Sequence, residues 1–196
     1  MKKKVLVIVG PSCAGKDTLA DRAVLTAVQG AMTRVQRTTT RPARPGERAE
    51  ARYEFVSKDT FAALKASGSL LEESSFRGWQ YGTRMGSLGD GTINILTLDL
   101  KSLKQLWRRA TNLDVRVAFV DAPIGTRIKR YRDRDGHGSF EMYRRTLSDV
   151  IQYRHAVGDL LRMGIPYTYL PAEFGLYKRT NQVMAFCRDW MRGSEF

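Results

Sequence analysis

The stretch Lys4-Val5-Leu6-Val7-Ile8-Val9-Gly10-Pro11-Ser12-Cys13-Ala14-Gly15-Lys16-Asp17-Thr18 decides the fold. Lys4 to Val9 is a continuous β-branched and apolar run, the pattern of a strand buried on both faces of a parallel sheet. Gly10 to Lys16 then fits G-x-x-x-x-G-K, and a helical stretch runs from about Lys16 to Val28 with Leu19, Ala20, Ala23, Val24 and Ala27 on one face. Gly30 closes that helix. Strand, glycine-rich turn and helix form the first unit of an α/β sheet.

The turn carries chemistry. Glycines at 10 and 15 let the main-chain N–H groups of Ser12, Cys13, Ala14 and their neighbours converge on phosphate oxygens. The helix that follows offers its first N–H groups, at Asp17 and Thr18, to the same anion. Lys16 brings positive charge to the β- and γ-phosphates of a nucleoside triphosphate as charge spreads over the migrating group. Asp17 stands where this motif ordinarily has a Ser or Thr whose hydroxyl binds Mg2+. A carboxylate can also hold Mg2+, directly or through water; alternatively Asp17 simply favours the positive end of the helix.

Outward from this unit the character of the chain changes. Residues 33–91 carry short polar strands, scattered glycines and several arginines, which reads as an inserted lobe. Core-like strands return at Thr92 to Leu98 and Val115 to Val120, separated by a helix over Leu100 to Ala110. A charged, glycine-containing segment at 131–143 reads as a mobile lid. A long amphipathic helix from Glu141 to Met163, a short strand from Tyr167 to Leu170 and a helix from Tyr177 to Met191 complete the chain. The expected fold is therefore α/β: a P-loop parallel sheet flanked by helices, its core at 1–32 and 92–192, with an acceptor-binding lobe and a small lid in one domain. The tail from Gly193 to Phe196 is set aside from the fold argument.

The 196 residues include 33 Lys and Arg against 20 Asp and Glu, a formal charge of +13, and 42% are apolar. That is enough apolar material for a core, and the charge excess predicts an acidic partner. The two cysteines, Cys13 and Cys187, have no metal-ligand spacing and no disulfide framework, which fits a reducing, cytoplasmic setting. No stretch approaches membrane-spanning length. Cys13, inside the phosphate loop, predicts sensitivity to thiol reagents. His137 and His155 carry no partner pattern.

Arg37-Thr38-Thr39-Thr40-Arg41-Pro42-Ala43-Arg44-Pro45-Gly46-Glu47, followed by Tyr53-Glu54-Phe55-Val56-Ser57, resembles the acceptor-binding segment of guanylate kinases. Glu72 and Tyr81-Gly82-Thr83 fall at that family's further spacing. The resemblance runs from Lys4 to about Arg145. It implies an enzyme that moves the terminal phosphoryl group of ATP, with Mg2+, onto a nucleoside monophosphate, GMP or dGMP. It implies that Arg41, Arg44, Tyr53 and Tyr81 hold the acceptor's phosphate, that Glu72 accepts from the guanine ring N–H and exocyclic amine, that Thr83 faces the base, and that Asp99 is the second acidic residue of the site. Arg130, Arg134 and Arg145 resemble lid arginines that meet the ATP phosphates on closure, and Lys16, Arg41, Arg134 and Arg145 are the candidates for direct participation in transfer.

The sequence also departs from the family. Arg37 replaces a serine that contacts the base, and Thr97 stands where an aspartate often lies near the metal. Asp17 and Thr97 are read as compensating changes, with Asp17 as the metal-binding carboxylate. These departures leave room for a broad or modified-base (deoxy)nucleotide kinase or a ribose-bisphosphate kinase. A nucleic-acid kinase ranks lower, since no nucleic-acid motif accompanies the basic charge. A non-enzymatic scaffold ranks lower too, since Lys16 and both framing glycines are present. The expected partner is a small nucleotide, with no membrane, and the protein is expected as a monomer or homodimer.

Overall fold

The computed structural model describes residues 2–43, 47, 52–135 and 140–193. Two sheets organise them. The larger has five strands in the order β2-β7-β1-β8-β9, all parallel: β1 (Lys3–Val9), β2 (Met32–Arg34), β7 (Ile93–Leu98), β8 (Leu113–Val120) and β9 (Tyr167–Leu170). The smaller has four strands in the order β4-β3-β6-β5: β3 (Arg37–Thr39), β4 (Tyr53–Phe55), β5 (Leu70–Phe76) and β6 (Trp79–Arg84).

β1 lies at the centre of the larger sheet, and its residues explain why. Val5 to Val9 are fully buried, and alternate side chains enter two different cores. Val5, Val7 and Val9 join Leu96, Leu98, Val117 and Phe119 on one face, covered by α3 (Leu100–Arg109) and α6 (Ala156–Arg162). Leu6 and Ile8 join Ile93, Ile95, Ala118 and Val120 on the other, covered by α1 (Lys16–Thr26) and α7 (Leu176–Met191). Each fully buried aliphatic side chain contributes roughly 1.5–3 kcal/mol, so a two-faced strand is worth more than any single helix stripe.

The lobe docks through α3. Asp99 caps this helix, its Oδ1 accepting from Ser102 N at 2.7 Å, which fixes where the helix leaves β7. Leu100, Leu103 and Leu106 face the core, and Leu71 of β5 joins the same cluster. Polar contacts seal the joint: Glu73 N donates to Gln105 Oε1 at 3.1 Å and Arg109 Nη1 donates to Leu70 O at 3.0 Å. Within the lobe, α2 (Lys58–Ala66) is capped by Ser57, whose hydroxyl accepts from Thr60 N at 3.0 Å, and it buries Phe61.

Two stretches differ from the expectation. The charged segment assigned to a lid begins inside a helix, α4 (Ile124–Asp135). The single helix expected from Glu141 to Met163 is two, α5 (Phe140–Tyr153) and α6, parted at Arg154 and His155, where His155 leaves helical geometry (φ −118°, ψ 18°). The buried positions Met142, Ala156 and Leu160 keep helical spacing across the break, so the apolar pattern does not mark it. Residues 136–139 of the lid lie outside the described residues.

Candidate active site

The phosphate loop is built by close approach and by two left-handed residues. A Cβ on Gly10 would stand 2.1 Å from the carbonyl oxygen of Val120, so only glycine fits where β1 ends beside β8. Cys13 (φ 60°) and Gly15 (φ 96°) both take left-handed backbone, which turns successive N–H groups toward one point. Gly15 is the N-cap of α1, so the first amides of that helix open onto the loop. Lys16 folds back over the loop, its Nζ donating to Gly10 O at 2.7 Å and Pro11 O at 2.9 Å. Burial pulls its pKa down, against the pull of Asp17, Asp149 and Asp99.

One cavity of about 550 Å³ joins this loop to the smaller sheet. Gly10, Ser12, Cys13, Lys16 and Asp17 line the donor side, and Arg37, Arg41, Tyr53 and Tyr81 line the lobe side. Asp99, Arg145 and Asp149 also border it. The rings of Tyr53 and Tyr81 meet edge-on at 6.0 Å, and the Arg41 guanidinium lies 5.5 Å from the Tyr53 ring and 5.4 Å from that of Phe55. Arg41 is held by Glu47, both carboxylate oxygens of which accept from Nη2 at 2.8 Å. Burial opposes the charge of Arg41, and Glu47 outweighs it.

Arg37, Thr83 and Glu72 fall in one row across β3, β6 and β5. Arg37 Nη2 donates to Glu72 Oε1 at 2.9 Å and Oε2 at 3.0 Å, and Thr83 Oγ1 donates to Oε1 at 2.8 Å. Glu72 and Thr83 are fully buried, and neither lines the cavity; Arg37 stands between them and it.

Asp17 sits at the loop's other edge. Its Oδ1 accepts from Thr97 Oγ1 at 3.0 Å and from Arg34 Nη2. Burial raises the pKa of Asp17, but Arg34, Lys16 and the Thr97 hydroxyl together hold it below the ordinary carboxylate value. The two sequence departures at 17 and 97 are therefore hydrogen-bonded neighbours. Asp99 spends one carboxylate oxygen on capping α3 and still faces the cavity.

Arg130 reaches the loop from α4, its Nη1 donating to Cys13 O at 3.1 Å. Arg145 of α5 lies with its guanidinium 3.5 Å from the ring centre of Phe76, on the lobe. Thr18 and Ala14 border a second cavity of about 350 Å³, between the outer side of the loop, Arg130 and the turn after β9. Arg44 lies outside the described residues, and Arg134 is described only by its place in α4.

Several residues of the site carry no motif. Asp149 of α5 accepts from Ser12 N at 2.9 Å and from Arg127 Nη1 at 3.1 Å. Arg34 and Arg52 both pair with Asp21, and Arg52 lines the main cavity. Phe174 and Arg179 border the second cavity; Arg179 is anchored by its Nη2, which donates to Asp121 O at 2.9 Å and Ala172 O at 3.0 Å.

A lysine-bearing phosphate loop at the carboxyl end of a parallel sheet, facing an arginine- and tyrosine-lined lobe across one cavity, defines the class: a P-loop nucleoside monophosphate kinase. Comparison with known proteins narrows it. The guanylate kinase family profile matches residues 2–157. Among curated proteins, a guanylate kinase of Symbiobacterium thermophilum is 31% identical over 94% of this chain and 84% of its own length. One from Alkalilimnicola ehrlichii is 31% identical over 77% of the chain and 74% of its own. The match to that of Bifidobacterium longum, 34% identical, spans 61% of that protein's length, less than two thirds. Among solved structures, a guanylate kinase from Anaplasma phagocytophilum shares the fold with a TM-score of 0.65 at 17% identity, covering 95% of this chain and 85% of that one. This chain belongs to the guanylate kinase family.

Proposed function

We propose that the protein transfers the γ-phosphoryl group of ATP to GMP or dGMP. The observation that carries this reading is the single cavity of about 550 Å³ with the phosphate loop on one wall and Arg41, Tyr53 and Tyr81 on the other. The family relatives, named guanylate kinases, support the choice of acceptor.

In this reading the loop amides and Lys16 grip the β- and γ-phosphates of the donor. Arg41 exchanges Glu47 for the acceptor's phosphate, which a guanidinium can hold through two N–H bonds. Tyr53 and Tyr81 complete that hold. An oxygen of the acceptor phosphate bonds the γ-phosphorus as the bond to the β–γ bridging oxygen breaks, and ADP leaves. No covalent enzyme intermediate is needed; alignment and charge neutralisation supply the rate. Arg130 and Arg145, from α4 and α5, add positive charge where the two lobes meet.

The donor set suits Mg2+. Asp17 and Thr97 offer a carboxylate and a hydroxyl, both hard oxygens, beside the phosphate loop, and Mg2+ takes one or two carboxylates with phosphates and water. When bound there, Mg2+ would neutralise charge on the β- and γ-phosphates. Asp17 would have to share its carboxylate between the metal and Arg34.

No helix of the described residues is long and apolar enough to cross a membrane, and both cysteines are free. A cytoplasmic location fits those features. The test is a coupled ADP-release assay with ATP and each common NMP and dNMP. GMP or dGMP ranks first in this account; an equal response to all acceptors, or none, contradicts it.

A further inference from the structure

We infer that Tyr153 is a further catalytic residue: its hydroxyl donates a hydrogen bond to the phosphoryl group as that group passes from donor to acceptor. This inference rests on the kinase reading above and deepens it.

α5 supplies a third wall of the main cavity. Arg145, Ser148, Asp149, Gln152 and Tyr153 line it, and they recur at helical spacing on one face. Tyr153 is the last residue of α5, just before the break at Arg154 and His155. Its ring is locked from behind. It stacks on Phe119 of β8, with centroids 6.0 Å apart and planes 10° from parallel, and Phe119 lies against Tyr169 of β9 at 5.6 Å. The hydroxyl is therefore held in one place over the carboxyl ends of the strands.

The surroundings decide which way its proton points. Leu100 N is the first N–H of α3, which has no partner within the helix, and it donates to Tyr153 Oη at 3.2 Å. With that N–H on the oxygen, the phenol proton is directed elsewhere, and among the described residues no atom accepts it. The charged groups nearest the hydroxyl are Asp99 and Asp149. Asp99 is used by Ser102 N, and Asp149 by Ser12 N and Arg127. Lys16 has the same two aspartates beside it, and its Nζ donates to Gly10 O, while the main chain of Gly10 also bears on Tyr153. Tyr153 and Lys16 thus meet where β1 enters the phosphate loop, beside the γ-phosphoryl group of the kinase reading.

Burial, Asp99 and Asp149 push the phenol well above its ordinary pKa, so it stays a neutral donor. A fixed donor aimed at an oxygen on which charge develops needs no reorganisation during the reaction. The proton stays on Tyr153, and no bond forms between the phenol and phosphorus.

The test is Tyr153→Phe, which keeps the ring on Phe119 and removes only the hydroxyl. Loss of a hydrogen bond to a charged group should lower kcat roughly 10- to 100-fold. KM for ATP and for GMP should stay within about twofold, since the bond serves the group in transit. A second readout is calorimetric binding of GMP to the ADP-loaded protein with and without aluminium fluoride, a mimic of that group. The unaltered protein should gain affinity from aluminium fluoride, and the variant should lose most of the gain. A merely structural role would weaken both measurements alike. Binding is read on folded molecules, so the comparison stands even if the melting temperature drops. A kcat within about twofold of the unaltered protein, or an undiminished gain from aluminium fluoride, overturns the inference and leaves the kinase reading standing. Binding of ATP by the unaltered protein with no transfer to any nucleoside monophosphate overturns both.

Discussion

The carboxylate of Asp149 sits on the phosphate loop: its Oδ2 accepts from the main-chain amide of Ser12 at 2.9 Å and, at 3.1 Å, from Arg127 Nη1. The Arg127 and Asp149 side chains keep only 5% and 13% of their exposure. An amide suited to a phosphate oxygen is thus satisfied by an internal anion, and the same anion neutralises a buried arginine. Removing its charge strands Arg127. Breaking a buried pair from one side costs about 3 kcal/mol, so Asp149→Asn should lower the melting temperature of the free protein. Saturating ATP brings its own negative charge to the loop, so the rise in melting temperature on adding ATP should be larger in the variant. An equal rise in both proteins would show that the carboxylate is not a stand-in for phosphate.

Gly10 tolerates no side chain. A methyl group there meets the Val120 carbonyl at 2.1 Å, and backbone on both sides must give way. Forced overpacking of this kind costs roughly 1–3 kcal/mol or more. Gly10→Ala should lose at least that much in urea unfolding, and ATP binding by calorimetry should weaken with it. Unchanged binding would mean that the loop's shape does not depend on this close approach.

The two thiols should react very differently. Cys13 is partly exposed at the loop, whereas burial pushes the Cys187 thiol up to about 12. A thiolate is the reacting form, so Cys187 should stay inert near neutral pH until the protein unfolds. With an aromatic disulfide reagent, one thiol reacts quickly and ATP slows it. Two thiols reacting at one rate, or no protection by ATP, would contradict the placement of Cys13.

Arg34 ties α1 to β2 through Asp17 and Asp21. Because the folded state holds the Asp17 pKa below the ordinary carboxylate value of 3.8, its contribution to stability is present above that value and fades as pH falls through the folded one. The Asp17 side chain is 56% exposed, so solvent screening limits the pair to about 0.5–1 kcal/mol. Urea unfolding of Arg34→Met should fall below that of the unaltered protein by this amount at pH 7. The gap should narrow once the pH drops below the folded pKa of Asp17. A gap that persists undiminished in strong acid would place Arg34's role elsewhere.

What the sequence makes legible follows from where the physics is local. β1, β7 and β8 are dominated by apolar runs because both faces are covered, and that signal needs no partner to be read. The phosphate loop is equally local, since one short segment supplies its glycines, its helix and Lys16. α2 buries only Phe61, too little for a clear stripe, and α4 is obscured by its run of charges. The remaining contacts join distant positions. Asp149 meets Ser12 across 137 residues, and Arg34 meets Thr97 across 63. Arg37 covers Glu72 only because the register of three strands brings them into one row. Motif spacing finds Glu72 but is silent on whether another side chain stands in front of it.

The central claim is that the phosphate loop and the Arg41–Tyr53–Tyr81 wall serve one reaction across one cavity. The most direct measurement is calorimetric binding of adenosine and guanosine joined by five phosphates, compared with ATP and GMP alone. A single ligand spanning both walls should bind at least ~100-fold more tightly than either nucleotide, and Lys16→Met or Arg41→Met should each remove most of that gain. Binding no tighter than that of ATP, unaffected by Arg41→Met, would mean that the two walls do not hold donor and acceptor together.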